Sequence, residues 1–196
     1  MRQLVVYCHP NPSSFCSAIK DRVMQTYTSM GDEVVLRDLY GIGFDPVLKA
    51  SDFEAIQKGG VSGDVKLEQD YIKWSDMMTL VYPIWWTGMP AVLKGYIDRV
   101  FSYGFAYAID QSHNIIQLLK DKRAIILNTM GTPEEVYEQS GMISAMQMTT
   151  DTGIFGFCGI EVVAHRFFGA VPYVDGATRS VMLEDVERLV NVATGR

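Results

Sequence analysis

The run CHPNPSSFC, residues 8–16, places His9, Asn11, Ser13 and Ser14 directly after an apolar stretch. An imidazole, a carboxamide and two hydroxyls beside the start of a helix are hydrogen-bond partners for an anion. Free backbone N–H groups and the helix dipole at such a terminus favour a phosphate. The loop has no glycine, so it is neither a Walker A loop nor the Gly-rich dinucleotide fingerprint. A plainer reading is open too: Ser13 or Ser14 simply caps the helix.

Two further stretches have unusual composition. PIWWTGMP, residues 83–90, holds Trp85 and Trp86 side by side. Paired tryptophans on a loop are costly unless they face a flat ligand or a partner. A planar aromatic cofactor is one such partner, and packing beneath the loop or against a second subunit is the other. Gly88 allows close backbone approach. NTMGTPEEVY, residues 128–137, combines the small residues Thr129, Gly131 and Thr132 with the hydroxyl of Tyr137. Glu134 and Glu135 read as the first turn of a helix rather than as a catalytic carboxylate pair. One anion loop and two loops of aromatic and small residues fit a flat cofactor that carries a phosphate. A flavin mononucleotide moiety has that shape, with its phosphate on the first loop and its isoalloxazine against the other two.

These loops need a scaffold that brings them together. QLVVY (3–7), DEVVLRDL (32–39), MMTLVYP (77–83), RAIILNT (123–129) and IEVVAHRFF (160–168) are short apolar runs bounded by turn formers, and they read as buried strands. Ile19, Val23, Tyr27 and Met30 recur on one helical face, with Gly31 placed to end that helix. Pro90 suits the first position of a helix whose inner face carries Leu93, Ile97, Val100 and Phe101. A helix is expected around 142–157, and Met182, Val186, Leu189 and Val190 mark another at the C-terminus. Residues 40–53 show no period, 54–69 read as a polar, exposed excursion, and 130–141 read as a loop. Strands alternating with helices imply an α/β fold: five strands, mostly parallel, with helices on both faces, as one domain over residues 1–196. Ligands then sit outside the carboxyl ends of the strands, where loops 8–16, 84–90 and 130–141 fall.

Composition narrows the function. The chain has 196 residues, 48% hydrophobic and 20% charged, with a formal net charge of −6. There is no basic patch to bind nucleic acid. The run Met77 to Leu93, as long as any without a charged side chain, contains two prolines and a glycine and falls short of the ~20 apolar residues that span a bilayer. Cys8, Cys16 and Cys158 form no metal-ligand pattern and are expected as free thiols in a reducing cytoplasm. No metal site is expected, and His113 and His165 read as ordinary surface or strand histidines.

The segment YPIWWTGMPAVLKGYIDRVFSYGFAY, residues 82–107, resembles the signature of the NAD(P)H:quinone oxidoreductase family, flavodoxin-like proteins. His9 to Phe15 resembles a second family motif, and FCGI (157–160) a third. The resemblance spans nearly the whole chain, without the extra C-terminal part of the longer eukaryotic members. It implies a flavodoxin-like five-stranded sheet, a homodimer, and bound FAD, with FMN as the alternative. By position, His9, Ser14, Phe15 and Cys16 fall on the flavin phosphate loop, with Cys16 in place of a common asparagine. Pro83, Ile84 and Trp86 fall on isoalloxazine contacts, with Trp85 beside them, and Thr129, Gly131 and Thr132 on the third flavin loop. Tyr137 falls on the tyrosine that stabilises the reduced flavin, and Tyr107 on an aromatic wall of the quinone and nicotinamide pocket. Two family residues are replaced: a histidine six positions after the tyrosine by Ile143, and a second pocket tyrosine by Ile109.

The activity so implied is two-electron transfer from NADPH or NADH to flavin and then to a quinone, by a ping-pong cycle. Three alternatives accompany it. One is a one-electron flavodoxin-type carrier. Another is a regulatory subunit that docks on a potassium-efflux transporter. The last is reduction of azo or nitro compounds by the same chemistry.

Overall fold

The computed structural model describes residues 1–196. The first strand, β1 (Arg2–Tyr7), is apolar and buried over most of its length and leads into α1 (Phe15–Ser29), then β2 (Glu33–Asp38). Ser14 caps α1, accepting from Ser17 N–H, and Gly31 at φ +75° turns the chain out of the helix. Next come α2 (Ala50–Gln57), α3 (Gly63–Trp74), β3 (Met77–Pro83) and α4 (Ala91–Val100). A hairpin of β4 (Tyr107–Ile109) and β5 (Ile115–Gln117) follows, then β6 (Arg123–Thr129), α5 (Glu134–Gln139) and α6 (Met142–Gln147). A π-helix over Met148–Gly156, β7 (Glu161–Phe168) and α7 (Gly176–Thr194) complete the chain.

The main sheet has the order β2-β1-β3-β6-β7, all parallel. That is the doubly wound order in which the chain reverses direction of winding beside β1 and β3, and ligands bind there. Alternate residues feed two cores. Leu4, Val6, Met78, Leu80 and Tyr82 meet the α3 and α4 side. Val5, Tyr7, Val81, Ile125 and Leu127 meet α1 and α7.

Several sequence expectations change. Residues 54–69 are no excursion: most of them belong to α2 and α3, which bury Val65, Glu68 and Gln69. Their polar residues work inside the fold. Arg99 on α4 is 5% exposed and bonds both oxygens of Asp52, at 3.2 and 3.1 Å, and also Asp64 at 2.7 Å, Ser62 Oγ and the Asp45 carbonyl. The chain can lie this close because α4 carries Gly95, where a Cβ would stand 2.1 Å from the Pro46 carbonyl oxygen. Pro90 stands at the N-cap rather than inside α4. The stretch 130–141 contains α5, and the expected helix over 142–157 divides into α6 and the π-helix.

Arg99→Met leaves Asp52 as a buried, unpaired carboxylate, so it should lower unfolding free energy by about 3–5 kcal/mol in a urea titration. A change near zero would remove this cluster as the anchor of α2 and α3. Partial burial pushes the Asp64 carboxyl up, but its bonds from Arg99 and Ser62 prevail and hold it at about 2. A carboxyl lowered by folding stabilises above its unfolded value, so this contribution is lost as pH falls toward about 2.

Candidate flavin-binding site

The carboxyl ends of β1, β3 and β6 meet around a cavity of about 330 Å³. Cys8 N–H donates to Val81 O at 3.0 Å and Ile84 N–H to Thr129 O at 2.7 Å, so each loop is tied to the next. Cys16 Sγ lies 3.0 Å from Thr129 Oγ1, joining the first loop to the third.

On the first loop, His9 Nδ1 accepts from Asn11 N–H at 3.0 Å. The ring proton therefore sits on Nε2. Burial lowers the His9 pKa, which keeps the ring neutral at neutral pH, a donor without charge. Asn11 Oδ1 accepts from Ser13 N–H at 2.9 Å and shapes the bend. The N–H groups of Phe15 and Cys16, in the first turn of α1, have no acceptor in the chain. They are ready donors at a helix N-terminus. Ser14 serves in two ways: its oxygen caps α1, and it lines the cavity beside Phe15 and Cys16.

On the second loop, Trp85 and Gly88 exchange backbone hydrogen bonds at 3.1 Å in each direction. The residues between them, Trp86 at φ +51° and Thr87 at φ +56°, form a left-handed turn that glycine or asparagine would normally occupy. Such strain gathers at functional sites. Trp85 lines the cavity with its ring against His9, centroids 5.8 Å apart. Trp86 stands wholly in solvent at the apex, 101% exposed. Pro83 and Ile84 complete this side.

The third loop brings Thr129, Met130 and Gly131 to the cavity. Thr132 does not line it; its carbonyl accepts from Ala170 N–H at 3.1 Å. Tyr137 on α5 packs against the cluster of Met130, Met146 and Phe167, together with Ile84 and Ile143. Ile143, which replaces the histidine that the resemblance implies, is an apolar residue packed against the same cluster. Tyr107 lies elsewhere, in a 260 Å³ depression with Ile97, Phe101 and Phe157, its ring 5.1 Å from that of Phe157. Val171 and Pro172, on the loop after β7, also line the cavity. That loop follows the fifth strand at the same carboxyl edge, a position the sequence reading passed over.

The residues present fit a phosphate-bearing flat ring. Neutral donors gather at the start of α1, aromatic rings and small residues wall the space beside them, and no lysine or arginine lines it.

The thiols here are chemically quiet. Burial pushes Cys8 and Cys16 up to about 12 and Cys158 to about 11. A disulfide reagent at mildly alkaline pH should leave all three unmodified in the folded protein and label all three after denaturation. Rapid native labelling of Cys16 would contradict its burial against Thr129.

The chain matches the model of the flavodoxin-like fold family over residues 1–190. It is 37% identical over 185 residues to an uncharacterized NAD(P)H oxidoreductase of Haemophilus influenzae, covering 94% of this chain and 91% of that one. It is 28% identical to the ribosyldihydronicotinamide dehydrogenase [quinone] of Rattus norvegicus, covering 96% and 90%. Among solved structures, the NAD(P)H:quinone oxidoreductase from Methanothermobacter marburgensis superposes with a TM-score of 0.89 at 25% identity, covering 97% of each chain. Together with the three loops around one cavity, these likenesses show that the chain belongs to the flavodoxin-like family of NAD(P)H oxidoreductases and NAD(P)H:quinone dehydrogenases.

Proposed function

We propose that the cavity seats a flavin and that the protein is a two-electron NAD(P)H:quinone oxidoreductase. The carrying observation is the convergence of an uncharged anion cradle with aromatic and small-residue walls on one cavity. His9 Nε2–H, the Ser14 hydroxyl and the N–H groups of Phe15 and Cys16 would hold the phosphate. Pro83, Ile84, Trp85, Thr129 and Gly131 would border the ring, whereas Trp86 and Thr132 stand outside the cavity. A flavin held there would supply the hydride acceptor for NAD(P)H and the two-electron donor for a quinone.

The chain's own residues orient and shield. Backbone N–H groups fixed by the strand ends offer preorganised donors to negative charge, at no reorganisation cost during turnover. Tyr137 would supply a hydroxyl on the third-loop side, where Ile84 and Ile143 pack against the same cluster. The reading favours FAD, with FMN as the alternative, and NADPH or NADH as reductant.

A homodimer belongs to the same reading. Tyr107 lies outside the cavity within one chain, so a second copy is what would carry it to a pocket wall. Trp86, Tyr103 and Phe157 are exposed and would be covered in such an assembly. Reduction of azo or nitro compounds would use the same chemistry with another acceptor. No helix of the chain is long and apolar enough to cross a membrane.

Chromatography of cofactor released from the purified protein should show one flavin species, FAD on this reading. A protein that holds no flavin, and takes up neither FAD nor FMN on incubation, would contradict it. Tyr137→Phe should keep the flavin and lower quinone turnover by about a hundredfold, the lower end of the range for loss of one proton-donating group. Unchanged stopped-flow rates for flavin reduction and reoxidation would exclude Tyr137 from the chemistry.

A further inference from the structure

His165 looked like an ordinary strand histidine, but the structure gives it partners on two other elements. Its side chain is 3% exposed. Nδ1 lies 2.7 Å from Asp151 Oδ1 on the π-helix, and Nε2 lies 2.6 Å from Asn128 Oδ1 on β6. Asn128 Nδ2 donates to Tyr82 O on β3 at 3.3 Å, which fixes the orientation of that carboxamide. Asn128 thus turns its oxygen to the ring, and Nε2 must donate. The Tyr82 phenol, its pKa raised by burial, adds no charge. Arg166, next in sequence, is engaged elsewhere, with Glu134 and Asp185.

A β-bulge explains why the ring points this way. The pairing of β6 with β7 slips between Ala124 and Ile125, leaving Val163 and Ala164 on the same side. The residues beyond the slip are thereby re-aimed. His165 comes to the side of Asn128 and stacks on Phe167, centroids 4.2 Å apart. Phe167 in turn packs in a cluster with Met130, Ile84 and Tyr137, of which Met130 and Ile84 line the cavity.

The residues held by this network immediately precede the cavity lining: Tyr82 leads into Pro83 and Ile84, and Asn128 into Thr129, Met130 and Gly131. We propose that His165 is a positioning residue for the flavin seat: clamped by Asp151, it fixes Asn128 and so locks the ends of β3 and β6 in register beneath the second and third loops. The π-helix has a part in this, because its wider turn presents Asp151 to the sheet, and such segments recur at functional sites. The inference rests on the flavin reading and adds a residue that touches neither cofactor nor substrate.

The test is the rate at which flavin leaves the holoprotein, with its visible spectrum, in His165→Leu, His165→Gln and Asp151→Asn. Arg99→Met serves as a control, destabilised at a site that does not touch the cavity. All are measured well below their melting temperatures. His165→Leu and Asp151→Asn should release flavin about tenfold faster, the scale of one lost buried hydrogen bond, and shift the flavin spectrum. His165→Gln, which keeps a donor for Asn128, should recover part of the loss, and Arg99→Met should match the parent. Equal release rates in parent, His165→Leu and Asp151→Asn would overturn the proposal. So would faster release in Arg99→Met, because general destabilisation would then account for the effect. Should His165→Leu fail to fold, Asp151→Asn, whose side chain is 22% exposed, decides the question alone. A parent protein without flavin would instead refute the flavin reading on which the inference stands.

Discussion

Two backbone hydrogen bonds set the geometry on which everything else depends: Cys8 N–H to Val81 O and Ile84 N–H to Thr129 O. They continue the parallel ladders just past the strands proper. A parallel sheet ends every strand at the same edge, and its crossover helices return the chain on the faces. The loops after β1, β3 and β6 therefore cannot separate without breaking the sheet. Cys16 against Thr129 adds a side-chain stitch at the same place. The cavity is a consequence of strand register, and its donors are backbone groups the fold must leave unpaired.

That origin shapes its electrostatics. A chain of net charge −6 binding an anion would be expected to place a lysine or arginine at the site. None lines the cavity. The start of α1, a neutral imidazole and a hydroxyl take that role. Fixed dipoles in a partly desolvated site hold charge well because they need not reorganise. The cationic side chains are spent on architecture, as with Arg99 beneath α2 and α3 and Arg37 on Glu68. Of the four non-glycine residues at positive φ, two, Trp86 and Thr87, stand together on the rim, the others being His113 and Ala170.

The five strands were legible because buried parallel strands are continuous apolar runs, and the three principal loops because they follow those runs. The Ser14 cap, the Gly31 stop and the acidic start of α5 were legible from local chemistry. Residues 54–69 misled because their polar side chains look solvent-bound, whereas Glu68 and Gln69 are buried and Asp64 is bound to Arg99. The hairpin of β4 and β5 is too short to give a period. His165 was hidden by the bulge, which breaks the alternation from which its side would be read. Tyr107 shows a further limit: a motif can name a residue's family role without revealing that one chain places it away from the cavity.

On the proposed function, this cavity binds a flavin through which a nicotinamide reduces a quinone. The most direct test is anaerobic mixing of the purified holoprotein with NADPH, and separately with NADH, followed by a quinone. The visible flavin absorption should bleach within seconds with at least one nicotinamide. It should return on adding one quinone molecule per flavin, the stoichiometry of two-electron transfer. A bound flavin that neither nicotinamide reduces would contradict the reductase account and leave the chain as a carrier or a docking subunit.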